Sequence, residues 1–111
     1  MEESILITIK KMLGMEPGYT HFDQDIINHI NTVLMTLTQI GVGPEEGFII
    51  KDDKATWEEY LSDSLKFQAV KTYIYAKVRL VFDPPQSSTH IEVLKQTIAE
   101  CEWRLNLTAE S

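Results

Sequence analysis

Apolar residues return at intervals of three and four along four stretches of this chain, the spacing that aligns one face of an α-helix. The broadest stripe lies in residues 69–85, where Val70, Tyr73, Ile74, Val78 and Val81 share a face with Lys77, and Tyr75 and Phe82 widen it. That width exceeds what one partner in a small monomer usually needs, so part of it is expected to meet a neighbouring subunit. Asp83-Pro84-Pro85 ends the helix. The first proline drives Asp83 out of the α region, and neither proline has an N–H to donate.

The other stretches follow the same logic. A first helix over about 3–13 carries Ile5, Leu6, Ile9, Met12 and Leu13 on its apolar side and stops at Gly14. Lys10 and Lys11 fall in its last turn, where cations favour the negative end of the helix dipole. A second helix opens at Thr20-His21-Phe22-Asp23, which has the form of a capping box, and continues through Ile26, Ile30, Val33, Leu34, Leu37 and Ile40 to Gly41. Burial of such aliphatic side chains is worth ~1.5–3 kcal/mol each, so this face is expected to anchor the core.

Residues 41–55 form the longest irregular stretch. Gly41, Gly43, Pro44 and Gly47 rule out a continuing helix, and Phe48-Ile49-Ile50 reads as a short strand or an apolar plug over the bundle. Thr56-Trp57-Glu58-Glu59 is a second capping box, opening a short helix through Leu61. Ser62 or Asp63 then caps a long third helix over about 64–82. Thr89 with Glu92 opens a fourth over about 90–105, with Ile91, Leu94, Ile98, Cys101 and Leu105 facing inward. The short connection makes the last two long helices antiparallel.

The pattern therefore predicts an all-α fold. It is a small bundle of about four helices, one short extra helix, and a long Gly/Pro-containing loop between helices two and three. Residues 1–111 read as one domain whose tail, 106–111, is expected to be flexible.

Composition narrows the function classes. Seventeen acidic against ten basic residues leave a net charge of −7, and the basic residues are scattered. A protein that grips duplex DNA needs clustered cations to neutralise phosphates, so a DNA-reading role is disfavoured. An acidic or neutral wall past which DNA slides is compatible with the same charge. The acidic start and the lack of a ~20-residue apolar run make export and membrane insertion unexpected. The single cysteine, Cys101, excludes an internal disulfide and reads as a small core residue.

Candidate chemistry is sparse. His21, Asp25 and His29 lie four apart on helix two, but a third ligand two turns along a straight helix is ~12 Å from the first, which argues against one metal ion. Glu45-Glu46 and Asp52-Asp53 lack the alternation and the terminal glutamate of a calcium loop. There is no nucleophile elbow and no phosphate-cradling glycine loop. No catalytic, metal or cofactor site is expected.

The order and spacing of several segments do suggest a relationship. The helix of residues 69–85, Trp103-Arg104-Leu105-Asn106, Met12-Leu13-Gly14, Tyr19-Thr20-His21-Phe22-Asp23, Gly41-Val42-Gly43 and Thr56-Trp57 run through most of the chain. In that order the chain resembles the small helical head–tail connector proteins of tailed bacteriophages that infect Gram-positive hosts. The resemblance implies a non-catalytic virion protein of the head–tail interface, assembled in the host cytoplasm. It further implies a homo-oligomeric ring of about a dozen copies under the portal protein, monomeric in solution where closure needs the portal. A tail-side stopper or completion protein would bind below, and genomic DNA would pass through without sequence-specific contact.

On this reading the C-terminal segment, Trp103, Arg104, Leu105, Asn106 and Leu107, is the expected portal contact. The loop residues Val42, Phe48, Ile49, Ile50 and Lys51 would meet a neighbour or the channel, and Tyr75, Arg79 and Phe82 would form an inter-subunit helix face. Tryptophan, tyrosine and arginine are the side chains that dominate protein–protein contact energy, which agrees with those choices. Two alternatives stay open at this point. One is a helix-turn-helix DNA-binding regulator using Lys66, Lys71, Lys77 and Arg79; the other is a small helical adaptor that takes one partner by groove packing.

Overall fold

The structure is a computed structural model and describes residues 4–16, 18–61 and 67–110. Five helices follow in order: α1 (Ile5–Met12), α2 (Asp23–Ile40), α3 (Trp57–Tyr60), α4 (Phe67–Phe82) and α5 (Ser88–Glu110). The fold is all-α, and the only extended pairing among the described residues is an isolated bridge between Ser4 and Thr56. The cap expected at Ser62 or Asp63 lies outside the described residues.

α4 occupies the centre, packed on α2 along one side and on α5 along the other, with α1 also against it. This position accounts for its wide apolar stripe. Val70, Tyr73, Ile74, Ala76 and Val78 are fully buried because three helices of the same subunit surround them. Tyr75 and Phe82 are half-buried against that core, and the Phe82 ring meets Phe22 edge-on at 5.4 Å. Tyr75, Arg79 and Phe82, the expected inter-subunit helix face, are each half-buried within the subunit, and among the described residues Val81 is the large apolar α4 side chain left outside, 63% exposed.

α4 and α5 run antiparallel, since the beginning of α4 meets the end of α5. The Tyr73 hydroxyl donates to Glu102 Oε2 at 2.7 Å, and at the other end of the pair Arg79 shares a cleft with His90, Val93 and Leu94. α5 starts at Ser88, so Thr89 sits inside its first turn instead of capping it. It continues to Glu110, beyond the expected end near Leu105. Cys101 and Leu105 are buried while Ile91, Leu94 and Ile98 are half-buried, as befits an outer helix with one main partner.

The N-terminus of α2 departs from the expected capping box. Phe22 holds the cap position without a side-chain bond, and Thr20 contributes its carbonyl, accepting from the Asp23 N–H at 3.2 Å. Asp23 is instead drawn to Lys10, whose ammonium lies 2.7 Å from Asp23 Oδ1 and donates to the Tyr19 carbonyl at 2.7 Å. Lys10 is thus wholly buried and joins α1 to the start of α2. Its neighbour Lys11 is exposed. The Thr56 capping box forms as expected, with Glu59 N–H donating to Thr56 Oγ1 at 3.2 Å and Thr56 N–H donating to Glu59 Oε1 at 2.9 Å.

Residues 41–55 make no strand, yet they are fastened at three points. Gly41, at φ 103° in the left-handed region, closes α2, and Val42 N–H donates to the Leu37 carbonyl at 2.9 Å. Ile50 is bound to Asn31 of α2 by both of its backbone groups. Ala55 accepts from the Ile5 N–H at 3.0 Å, and Trp57 Nε1 donates to Thr8 Oγ1 at 3.0 Å, stitching α3 to α1. The plug reading of Phe48-Ile49-Ile50 is met by Ile50, which is buried, with the Phe48 ring lying 5.1 Å from that of Tyr60.

Candidate docking surfaces

Two surfaces carry exposed large apolar side chains near residues expected to make contacts. The first is the outer side of α5. Trp103 and Leu107, four residues apart, project outward at 63% and 49% exposure, while Cys101 and Leu105 turn inward. Arg104 and Asn106 are exposed beside them, and Arg104 pairs with Glu100 across one turn at 2.6 Å. Of the expected portal contacts, Leu105 is therefore corrected to a core residue of the subunit; the other four are at the surface.

The second surface lies where the C-terminal half of α2 meets the loop. A cleft of about 460 Å³ is lined by Met35, Thr38, Gln39, Glu46, Gly47, Phe48 and Ile49. Met35 is 61% exposed and Ile49 58%. Lys51 is exposed nearby in sequence. Val42 and Ile50, also expected to face a neighbour or the channel, are core residues, so that assignment is corrected for both. Alternation along an extended segment explains why Ile50 is inside and Ile49 outside.

Local electrostatics hold the helices in place and offer no reactive pair among the described residues. Burial, followed by the hydrogen bond to Glu102 and its charge, raises the Tyr73 phenol above its usual range. Burial also raises the Cys101 thiol, with Glu100 adding to the effect and Arg104 opposing it. That thiol is therefore protonated and weakly nucleophilic. His21 lies against the Phe22 ring at 4.6 Å and His29 faces Phe82 at 6.4 Å. No helix among the described residues is long and apolar enough to cross a membrane.

Apolar spacing alone passes over Met35 and Gln39 of this cleft, although the sequence carries a signal for them. Residues 26–44 contain no Asp, Glu, Lys or Arg, a long gap in a chain that is 24% charged. The helical core is sealed, and separate apolar surfaces remain outside it. The chain belongs to the phage connector protein family, whose model matches residues 5–111. It is thus a phage structural protein of the head–tail interface. Comparison with curated proteins and with solved structures finds no match.

Proposed function

We propose that the subunit assembles as a ring beneath the portal, extends the DNA channel and presents the surface to which the tail or a stopper attaches. The observation that carries this reading is the exposed apolar pair Trp103 and Leu107 on the face of α5 opposite its core side. With Arg104 and Asn106 they form the portal contact, an aromatic–arginine combination suited to an interface anchor. The net charge of −7 keeps the channel wall from trapping the phosphate backbone. The scattered exposed apolar residues are few for a stable free oligomer, which needs about 800 Å² buried per partner, so the portal templates the ring.

Negative-stain imaging of the protein mixed with its cognate portal tests the reading. A stacked ring is expected with the wild type, and Trp103→Ala is expected to lose it. Isolated one-to-one complexes, or rings unaffected by Trp103→Ala, would overturn it.

A further inference from the structure

Residues 43–49 run between two firm attachments. Val42 N–H donates to the Leu37 carbonyl on one side, and Asn31 of α2 holds both backbone groups of Ile50 on the other. Among the described residues no hydrogen bond leaves the stretch between them. The bond it makes, Gly47 N–H donating to the Pro44 carbonyl at 3.0 Å, stays within it. Phe48, half-buried, is its anchor on the bundle, with the ring resting against Tyr60 of α3. The cleft shared with Met35, Thr38 and Gln39 leaves room beside it.

The same stretch covers a group that its present position leaves unsatisfied. Tyr60 is buried, and its hydroxyl is sealed off with no hydrogen-bond partner in the subunit. Gly43 closes over that end of the ring, since a Cβ there would stand 3.2 Å from Tyr60 Oη. The other buried phenol, Tyr73, donates to Glu102, so the orphaned hydroxyl is peculiar to the site under this stretch. A buried donor without an acceptor forfeits the bonds it makes in water, and that loss weighs on the covered arrangement alone.

We propose that residues 43–49 are a hinged strap with two positions, closed over Tyr60 in this structure and open between its fixed ends, Val42 and Ile50, with the unpaired Tyr60 hydroxyl favouring the opening. In the open position the hydroxyl reaches water and Phe48 leaves Tyr60 to join Ile49 outside. Gly43, at φ 86°, supplies the pivot next to Val42. The strap thereby sets how much apolar surface this end of the subunit shows. Met35 and Ile49 are outside already, whereas Phe48 and Tyr60 are offered in full only when the strap lifts. Whatever binds those two rings draws on the minor, open population, and its affinity is lowered by that fraction. The proposal is independent of ring assembly, so the free protein tests it.

The experiment follows the flip rate of the ring at position 60 by NMR, using the full chain with 13C-labelled tyrosine and phenylalanine. Gly43 and Phe48 pack on that ring, so it turns over when the strap is lifted. Wild type, Tyr60→Phe and Phe48→Leu are compared, together with Tm and exchange of the Ile50 amide. Tyr60→Phe removes the orphaned hydroxyl and favours the closed position, so Tm is expected to rise and the flip to slow ~10-fold. In a static pocket the ring without its oxygen would flip no slower than before. Phe48→Leu is expected to speed the flip ~10-fold while the Ile50 amide keeps its wild-type exchange rate. A lower Tm in Tyr60→Phe, or a flip as fast as in wild type, overturns the proposal, because the hydroxyl then does not oppose closure. Faster Ile50 exchange in Phe48→Leu overturns it as well, because the chain then comes away past its fixed end.

Discussion

The Asn31 side chain and the Ile50 backbone exchange two hydrogen bonds. Asn31 Nδ2 donates to the Ile50 carbonyl at 3.0 Å, and the Ile50 N–H donates to Asn31 Oδ1 at 2.8 Å. A primary amide thus copies the peptide group and gives Ile50 the pairing that a strand partner would provide. The loop is held against α2 before any partner binds, with Ile50 locked inward and Ile49 outward.

Asn31→Leu removes both bonds and leaves two backbone groups of a buried residue unsatisfied. The expected cost is about 2–3 kcal/mol, read as a lower denaturation midpoint at unchanged denaturant slope. Hydrogen exchange at the Ile50 amide should quicken more than exchange in α4. An unchanged Ile50 protection factor would show that the amide clamp is dispensable.

Lys10 and Asp23 give a second prediction. With Lys10 fully buried, Asp23→Asn removes the negative charge set against its ammonium, which keeps its bond to the Tyr19 carbonyl, and a loss of about 3 kcal/mol is expected. Lys10→Met strands the carboxylate, which keeps some solvent contact and so loses less. Lys10→Met combined with Asp23→Asn should recover much of the Asp23→Asn loss in a double-mutant cycle. Additive losses would mean that the two groups act independently.

Gly43 combines positive φ with a close approach. Its φ is 86°, and a Cβ there would lie 2.5 Å from Tyr60 Cε1. The Tyr60 ring is buried beside Phe48 and cannot swing away. Gly43→Ala should therefore cost well over the ~1 kcal/mol of the backbone conformation alone. Tyr60→Leu in the same chain is expected to return part of the loss, as measured by the shift in Tm.

Tyr60 and Tyr73 set the alkaline limb of stability. Burial raises both phenols above their ordinary value of 10.0, and Glu102 raises Tyr73 further. Their contribution is complete below pH 10 and falls as pH rises through the folded-state values, because the unfolded chain ionises first. Stability should therefore decline above pH 10, and Tyr73→Phe should flatten the decline. Equal slopes in wild type and Tyr73→Phe would assign the limb to other groups.

The helices were legible from local pattern. Apolar residues at three and four, Gly41 and Pro84-Pro85 as stops, and Thr56 with Glu59 as a cap each act within one turn of chain. The missed features depend on partners distant in sequence. Lys10 resembled a solvated dipole partner because nothing nearby announces Asp23. Asn31 resembled an ordinary polar residue because Ile50 lies nineteen positions away. Leu105, Val42 and Ile50 were assigned to contacts for the same reason, since a periodic stripe does not say whether this subunit or another covers it.

The sequence by itself determined that the chain is helical, where most of its helices lie, and the connector family to which it belongs. Tertiary structure alone decided which apolar residues remain outside, because burial depends on the arrangement of several helices around α4. It also decided how the charge-free run of residues 26–44 divides, with Ile26, Ile30, Leu34 and Leu37 turned into the core and Asn28, Thr32, Met35 and Gln39 left exposed.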